Sequence, residues 1–362
     1  MRILVTGGAG YIGSHTVKAL IEKGHNPVII DNLIYGHENI VKEILKVPLI
    51  IGQIGNFQVL KEILLGKHAS LKGTIHEEKT IEAVMHFAAY AYVGESVSDP
   101  LKYYKNNVVE SIILLDALCD KEVISKTENN LPIPIVFSST CATYGNPDSM
   151  PITEETYQNP INPYGRSKLF IEKILQDLAK AVKLRSVILR YFNAAGASPD
   201  LTLGEIHEPE THLIPLVIQT ALGIRDNVKI FGNDYDTPDG TCLRDFIHVC
   251  DLADAHVKAL SFLEKSKTKK ISIEDEYTSE IFNLGNGNGV SVKEIIKNVE
   301  EISNVKLKVI ESKRRDGDPP ILIASSKKIN NLLGWKPKYP NIKEIIKHAY
   351  YWHKKILNEK IE

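Results

Sequence analysis

The sequence predicts an α/β protein: a doubly wound parallel sheet of about seven strands, with a smaller α/β lobe toward the C-terminus. Seven short apolar runs carry that expectation, Ile3–Val5, Val28–Ile30, Pro48–Ile51, Ala83–Phe87, Ile135–Ser139, Val187–Arg190 and Ile281–Leu284, with helical patterns between most of them. Strands that alternate with helices pair in parallel. The runs also lack polar alternation, as strands covered on both faces do. Beyond about Ala194 the rhythm weakens, and turns rich in Pro, Gly and Asp such as Gly232–Gly240 take over. The expected boundaries are 1–193 for the sheet domain, completed by about 242–285, with 194–241 and 286–362 as the smaller lobe.

The first element explains most of the rest. The run Met1-Arg-Ile-Leu-Val-Thr-Gly-Gly-Ala-Gly-Tyr-Ile-Gly13 reads as strand, glycine turn, helix, which is the Rossmann-type cradle for a dinucleotide. Gly7 suits a turn that a Cβ would obstruct, Gly10 a close backbone approach to pyrophosphate, and Gly13 a helix packed tight on its strand. The phosphates then face N–H groups at a helix N-terminus. The second strand ends in Asp31, eighteen residues after Gly13, where a carboxylate accepts from a ribose 2′-OH and repels a 2′-phosphate. NAD is therefore expected rather than NADP.

Composition bounds the partners. The 362 residues are 43% hydrophobic and carry a formal net charge of −1, which leaves no basic excess for nucleic acid or an anionic membrane. There is no leader-like N-terminus and no apolar run of membrane-spanning length. Cys119, Cys141, Cys242 and Cys250 show no CxxC spacing, as in a reducing compartment; a cytoplasmic protein is expected. Gly66–Lys79, Lys121–Asn130 and Lys265–Tyr277 are polar and free of chemical motifs and are expected to be surface loops. The Lys-rich end from Lys354 onward reads as a solvated helix face.

The fifth strand runs into Phe137-Ser-Ser-Thr-Cys-Ala-Thr-Tyr-Gly145, which sets hydroxyls, Thr140 among them, at the carboxyl edge of the sheet. Asn162-Pro-Tyr-Gly-Arg-Ser-Lys168 follows. Asn162 can cap a helix with Pro163 at its first position, so Tyr164 and Lys168 fall at i and i+4 on one face. Four Tyr-xxx-Lys pairs occur, starting at Tyr164, Tyr339, Tyr350 and Tyr351, but only Tyr164 follows a Ser/Thr strand edge in the dinucleotide-binding half. A free phenol has a pKa near 10 and needs nearby positive charge to act as a base. Lys168 and an oxidised nicotinamide are the expected sources, with Thr140 bonded to the same substrate hydroxyl.

Together, Thr6–Gly13, His86-Phe-Ala-Ala89, Val93-Gly-Glu-Ser96, Ser138-Ser-Thr140, Pro163–Lys168 and Arg190-Tyr-Phe-Asn193 resemble the extended short-chain dehydrogenase/reductase superfamily. Leu213-Ile-Pro215, Asp239–Asp245 and Arg314-Arg-Asp-Gly-Asp318 resemble its UDP-glucose 4-epimerase family. The resemblance implies that Tyr164 takes the proton of a sugar 4-hydroxyl while bound NAD accepts and later returns the hydride of C4. It extends the NAD site to Tyr11, Ile12, Asn32, Gln53, Ile54, Phe87, Ala88, Ala89, Asn106, Ser138 and Tyr191. It assigns the UDP-sugar to Ser96, Asn193, His212, Leu213, Phe231, Arg244, Arg315, Asp318 and Leu322, and implies a homodimer.

Three positions depart from the family pattern. Gln53 stands where many members have an aspartate for the adenine amino group, and Ala91 where a lysine often holds the cofactor diphosphate. Leu322 stands where one branch has a tyrosine that excludes 2-acetamido sugars, leaving N-acetylated substrates open.

Among competing functions, a net dehydrogenase would use the same pair but exchange its cofactor. A 4,6-dehydratase commonly places Asp-Glu after the strand-end Ser/Thr, where this chain has Cys141 and Ala142. An epimerase of UDP-xylose and UDP-arabinose shares the C4 chemistry and remains open. No metal is expected: His207-Glu-Pro-Glu-Thr-His212 suggests ligands, but Pro209 prevents the helical i, i+4 geometry of a zincin-type site. A substrate-lobe loop, with His212 and Leu213 near the nucleotide, is expected instead.

Overall fold

The computed structural model describes residues 1–265, 279–315 and 318–361. In chain order the elements begin β1 (Arg2–Thr6), α1 (Tyr11–Glu22), β2 (Asn26–Asp31), β3 (Leu49–Ile51), α2 (Phe57–Leu64), β4 (Ala83–His86), α3 (Val93–Ser98) and α4 (Pro100–Tyr103). There follow α5 (Glu110–Leu118), α6 (Lys121–Ser125), β5 (Ile135–Thr140), α7 (Pro163–Val182), β6 (Ser186–Tyr191), β7 (Asn193–Ala195), α8 (Leu213–Ala221) and β8 (Val228–Phe231). The chain closes with β9 (Leu243–His248), α9 (Val249–Lys265), β10 (Ser279–Leu284), β11 (Gly289–Ser291), α10 (Val292–Ser303), β12 (Val309–Ser312), β13 (Ile321–Leu322), α11 (Lys327–Leu333) and α12 (Ile342–Ile361). No helix of the described residues is long and apolar enough to cross a membrane.

The seven expected runs form one seven-stranded sheet in the order β10-β6-β5-β4-β1-β2-β3. β1 pairs in parallel with β2, Val5 opposite Ile29, and with β4, Val5 opposite Met85. Strand order reverses at β1 and β4, so the carboxyl ends of these two strands flank the switch point where ligands bind on such sheets. Leu4, Val28, Ile30, Val84, Ile135 and Ile188 are buried on the strands, against Leu60 and Ile63 of α2, Leu114 and Leu118 of α5, and Ile171 and Leu175 of α7. Each such side chain contributes about 1.5–3 kcal/mol by leaving water.

The chain forms two compact units, the first of Met1–Gly145, Gln158–Arg190 and Ala253–Phe282, the second of Asn146–Tyr157, Tyr191–Leu252 and Asn283–Glu362. This corrects the sequence boundaries in two places. Residues 242–252 do not complete the large sheet, because β9 pairs antiparallel with β11 and in parallel with β13 and β7. Asn146–Tyr157 also belongs to the second unit, where Ile152 bridges Ala324. The second unit's own core joins Ile214, Val217 and Ile218 of α8 to Ile295 and Val299 of α10 and to Ile345 and Ala349 of α12.

Two expected surface loops are more structured than their polarity suggested. Asp120 accepts from the N–H groups of Glu122 and Val123 at 2.9 and 3.1 Å, starting α6 inside the Lys121–Asn130 stretch and burying Val123. In Gly66–Lys79, Leu71 and His76 are buried, and a Cβ on Gly66 would lie 2.3 Å from the His76 carbonyl oxygen. The third stretch, Lys265–Tyr277, lies outside the described residues except for the last residue of α9.

Candidate active site

The cradle forms where β1 runs out. Gly7 adopts φ +72°, and a Cβ there would sit 2.6 Å from the Ala88 nitrogen at the end of β4. On Gly13 a Cβ would sit 2.2 Å from the Gly7 carbonyl oxygen, so α1 can lie this close to the turn only without one. Gly10 is the N-cap of α1 with no capping side chain, and the first turn's N–H groups have no intrahelical acceptor. Asp31, at the end of β2, accepts from the N–H groups of Ala9 and Leu33 at 3.0 and 2.9 Å. Burial raises its pKa against those two hydrogen bonds. Its two carboxylate oxygens retain acceptor capacity. Gly7, Gly10, Gly13, Asp31 and Ala88 are thus brought together around a surface that fits a dinucleotide. Phe87 packs 4.7 Å from the His256 ring, Ile54 is buried and Gln53 is exposed just after β3.

The proton-handling residues share α7. The Asn162 side chain accepts from Gly165 N at 2.8 Å and Pro163 occupies the first turn, as the Asn-Pro pair predicts. A Cβ on Gly165 would lie 2.5 Å from the Ala142 carbonyl oxygen, so the start of α7 rests on the backbone just after β5. This brings the Tyr164 hydroxyl into hydrogen-bond contact with Thr140. Tyr164 is 7% exposed; burial pushes its pKa up to about 12, against the bond to Thr140.

Lys168, 4% exposed, donates from Nζ to the Ser138 carbonyl at 2.8 Å and lies 4.9 Å from the centre of the Phe137 ring. Burial pulls its pKa down to about 7, against the charge of Glu172. In the protein by itself, burial acts on the phenol in the direction opposite to the help expected from Lys168. Its ammonium is anchored on a backbone carbonyl, and desolvation carries the phenol upward. The remaining positive charge has to arrive with the cofactor.

Residues that motif reading passed over hold this arrangement. Glu172 continues the Tyr164, Lys168 face one turn further along α7 and is fully buried. It accepts from Arg190 NH2 at 2.7 Å, from Arg190 Nε at 3.1 Å, from Gln158 at 3.0 Å and from the Ser139 hydroxyl. Arg190 also donates to Tyr144 OH at 2.8 Å. The signal in sequence was only its i+4 spacing from Lys168 on the buried face of α7. His86 links Thr6 Oγ1 at 2.7 Å to Ser111 Oγ at 2.9 Å. Burial, reinforced by the Lys168 charge, pulls its pKa down to about 3, so the imidazole is a neutral strut joining β1, β4 and α5.

Other positions named from the motifs have local partners. Asn106 donates to the Asn107 side chain at 2.9 Å; Asn107, which is the buried one, donates to Ser167 and to the Tyr90 carbonyl. Ser96 is fully buried and donates to Val93 O at 2.7 Å within its own helix. Asn32 accepts from Ile34 N at 3.2 Å, and Tyr191 closes β6.

In the second unit, β9 organises the residues that the resemblance assigned to UDP. Arg244 on β9 stands opposite Leu322 on β13, and Asn193 on β7 donates to the Asp245 carbonyl at 2.9 Å. Arg244 is ion-paired with Asp318, and the Arg315 guanidinium lies 3.9 Å from the centre of the Phe231 ring. Asp316 and Gly317 of the same motif lie outside the described residues. Asp245, not singled out from sequence, is buried and accepts from the N–H groups of Asn286, Gly287 and Ala324 at 2.7, 2.9 and 3.1 Å. Burial pushes its pKa up to about 6 against those bonds. Leu213 opens α8, and His212 precedes it with its ring against Glu205 and Glu210.

Residues 3–285 match the model of the NAD dependent epimerase/dehydratase family. The UDP-glucose 4-epimerase of Halalkalibacterium halodurans is 46% identical over 354 residues, 98% of this chain and 96% of that protein. The crystal structure of UDP-glucose 4-epimerase from Brucella ovis in complex with NAD superposes with a TM-score of 0.84 at 43% identity, covering 97% of each chain. The UDP-Glc/GlcNAc 4-epimerase from Campylobacter jejuni superposes with a TM-score of 0.77 at 40% identity, covering 98% of this chain and 99% of that one.

Proposed function

This chain belongs to the NAD dependent epimerase/dehydratase family, and from that premise we propose that it interconverts UDP-glucose and UDP-galactose by inverting carbon 4 of the sugar. The observation that carries the reading is the buried Tyr164–Thr140 contact beside a glycine cradle, with Lys168 on the same helix face. NAD, held by Gly7, Gly10, Gly13 and Asp31, supplies the hydride acceptor and donor when bound. Tyr164 takes the 4-hydroxyl proton through its phenolic oxygen and returns it after the 4-keto sugar has presented its other face. Thr140 orients that hydroxyl, and Lys168 fixes the end of β5 through Ser138. No proton or electron is gained or lost overall.

Arginine suits a diphosphate through its paired donors, so Arg244 and Arg315 hold UDP once they leave Asp318 and the Phe231 ring. Phe231 then lines the uracil pocket, with Asn193, His212 and Leu213 beside the nucleotide. Leu322, opposite Arg244, favours a second substrate pair, UDP-GlcNAc and UDP-GalNAc, because it is smaller than a tyrosine. Turnover of UDP-galactose, UDP-GlcNAc and UDP-arabinose by one preparation separates these readings from a pentose epimerase. Tyr164→Phe should lower turnover by about 10²–10⁴-fold with NAD still bound; near-wild-type activity would remove Tyr164 as the base.

The protein assembles as a homodimer through the first unit. Val97, Leu101, Val109, Ile112 and Phe170 are exposed there on α3 to α5 and α7 and the segments joining them, and an apolar patch of this kind is unusual on a free surface. Sedimentation of Leu101→Glu as a monomer would support this. Four cysteines without a disulfide among the described residues fit the cytoplasm.

A further inference from the structure

The coil of residues 205–212, ahead of α8, holds a cluster of which the proposed reaction uses His212 alone, beside the nucleotide. Pro209 keeps it out of a helix, as its sequence suggests, but the coil achieves the convergence that a helix was expected to be needed for. One donor atom from each of Glu205, His207, Glu210 and His212 lies within 4.8 Å of the other three. Nδ1 of His207 and Nδ1 of His212 stand 3.0 and 2.8 Å from Glu205 Oε1. Glu210 adds carboxylate oxygens 3.1 Å from His212 Nδ1 and 3.9 Å from His207 Nδ1. Four ligand atoms at about 2.0–2.1 Å from a tetrahedral zinc are spaced about 3.3 Å apart, and the separations here straddle that value. As hydrogen bonds, His207 Nδ1 faces Glu205 Oε1 and His212 Nδ1 faces Glu210 Oε1 at 3.0 and 3.1 Å, so the same four side chains also pair among themselves when no ion is bound.

A second observation comes from another element. His353 on α12 is 6% exposed, and its Nε2 has no hydrogen-bond partner among the described residues. Its electrostatic neighbours are Glu205, Glu210 and His207. The adjacent Trp352 donates from its indole N–H to the Glu205 carbonyl at 3.1 Å, and a Cβ on Gly204 would lie 2.3 Å from that indole ring. α12 is thus seated on the coil at Gly204 and Glu205, and the same helix carries the buried His353 imidazole. An imidazole nitrogen is a ready ligand, and buried carboxylates need a paired charge or a metal.

We propose that Glu205, His207, Glu210 and His212 bind one divalent transition-metal ion, zinc by the chemistry of two imidazoles and two carboxylates. Imidazole with carboxylate favours zinc over the harder calcium and magnesium. Four protein ligands fill the tetrahedral shell, so the ion is structural and pins the coil before α8 in its observed course.

The test uses the full chain, stripped with a chelator, dialysed and titrated with Zn²⁺, with metal content read by plasma mass spectrometry. About one zinc per chain is expected, with tetrahedral d–d absorption when Co²⁺ replaces it. The melting temperature should fall on stripping and return on reloading. His207→Gln and Glu205→Gln should each weaken binding by about 100-fold or more. Should Glu205→Gln fail to fold, His207→Gln and the wild-type titration decide the matter. A wild-type chain that takes up no Zn²⁺ or Co²⁺ and melts alike with and without chelator holds only an internal ion-pair cluster, which overturns the proposal. Stoichiometric binding that is unchanged in His207→Gln places the metal elsewhere and overturns it too.

Discussion

Replacing Glu172 with methionine tests whether the catalytic helix is held by its buried ion pair. Arg190 is only 2% exposed and gives Glu172 three nitrogen–oxygen contacts of 2.7–3.1 Å. Removing the carboxylate takes these three contacts from a guanidinium that is held away from water and also donates to Tyr144 OH. Breaking such a pair from one side costs about 3–5 kcal/mol, whereas replacing both partners with apolar groups is often near neutral. In a unit of roughly 200 residues each kcal/mol moves the melting temperature by about 2–4 °C, so Glu172→Met should melt about 10 °C lower. Glu172→Met with Arg190→Met should recover most of that loss. The assay is circular dichroism, because both tryptophans, Trp335 and Trp352, lie in the second unit and their fluorescence would miss the first. Tyr164 and Lys168 sit on the same α7 face, so turnover should fall with stability and return in the double variant. A single variant that loses less than about 1 kcal/mol, or a double variant as damaged as the sum of the singles, would refute the reasoning.

Two further outcomes follow from the geometry. The folded chain holds Lys168 with a pKa near 7 instead of 10.5, so between those values the unfolded chain binds the extra proton and stability rises with pH. Relative to Lys168→Met, the cofactor-free wild type should gain about 1.4 kcal/mol per pH unit across that window and lose it again as pH falls; parallel urea-unfolding curves at each pH would contradict this. Gly13→Ala puts a Cβ 2.2 Å from the Gly7 carbonyl oxygen, and the forced shift should cost about 1–3 kcal/mol and empty the NAD site. Retention of a full equivalent of NAD by that variant would show that the cradle tolerates the displacement.

The large sheet was legible because its strands are unbroken apolar runs, and the start of α7 because Asn162 and Pro163 have few other uses side by side. The glycine turn was legible for a similar reason: Gly7 and Gly13 stand where backbone comes within 3 Å of a would-be Cβ. What stayed hidden depends on partners far apart in sequence. Glu172 reads as an ordinary helical carboxylate until Arg190 folds beside it, and nothing in the local pattern of β9 says that it joins β11 and β13 instead of the large sheet. Spacing likewise does not reveal the burial that raises the Tyr164 pKa. Helical periodicity could not show that Glu205, His207, Glu210 and His212 converge, because they do so in a coil.

The first unit is assembled from three separate stretches of chain, and β10, beside β6 at the rim of the large sheet, comes from the last of them. During synthesis β6 leaves the ribosome long before β10, which at about 5–20 residues per second means a wait of roughly 5–20 s. Throughout that interval β6 presents an open, apolar rim able to capture any other nascent strand. Maturation of the dinucleotide half is therefore gated by translation of the whole intervening region, and a ribosome stalled within it would release a product prone to clumping.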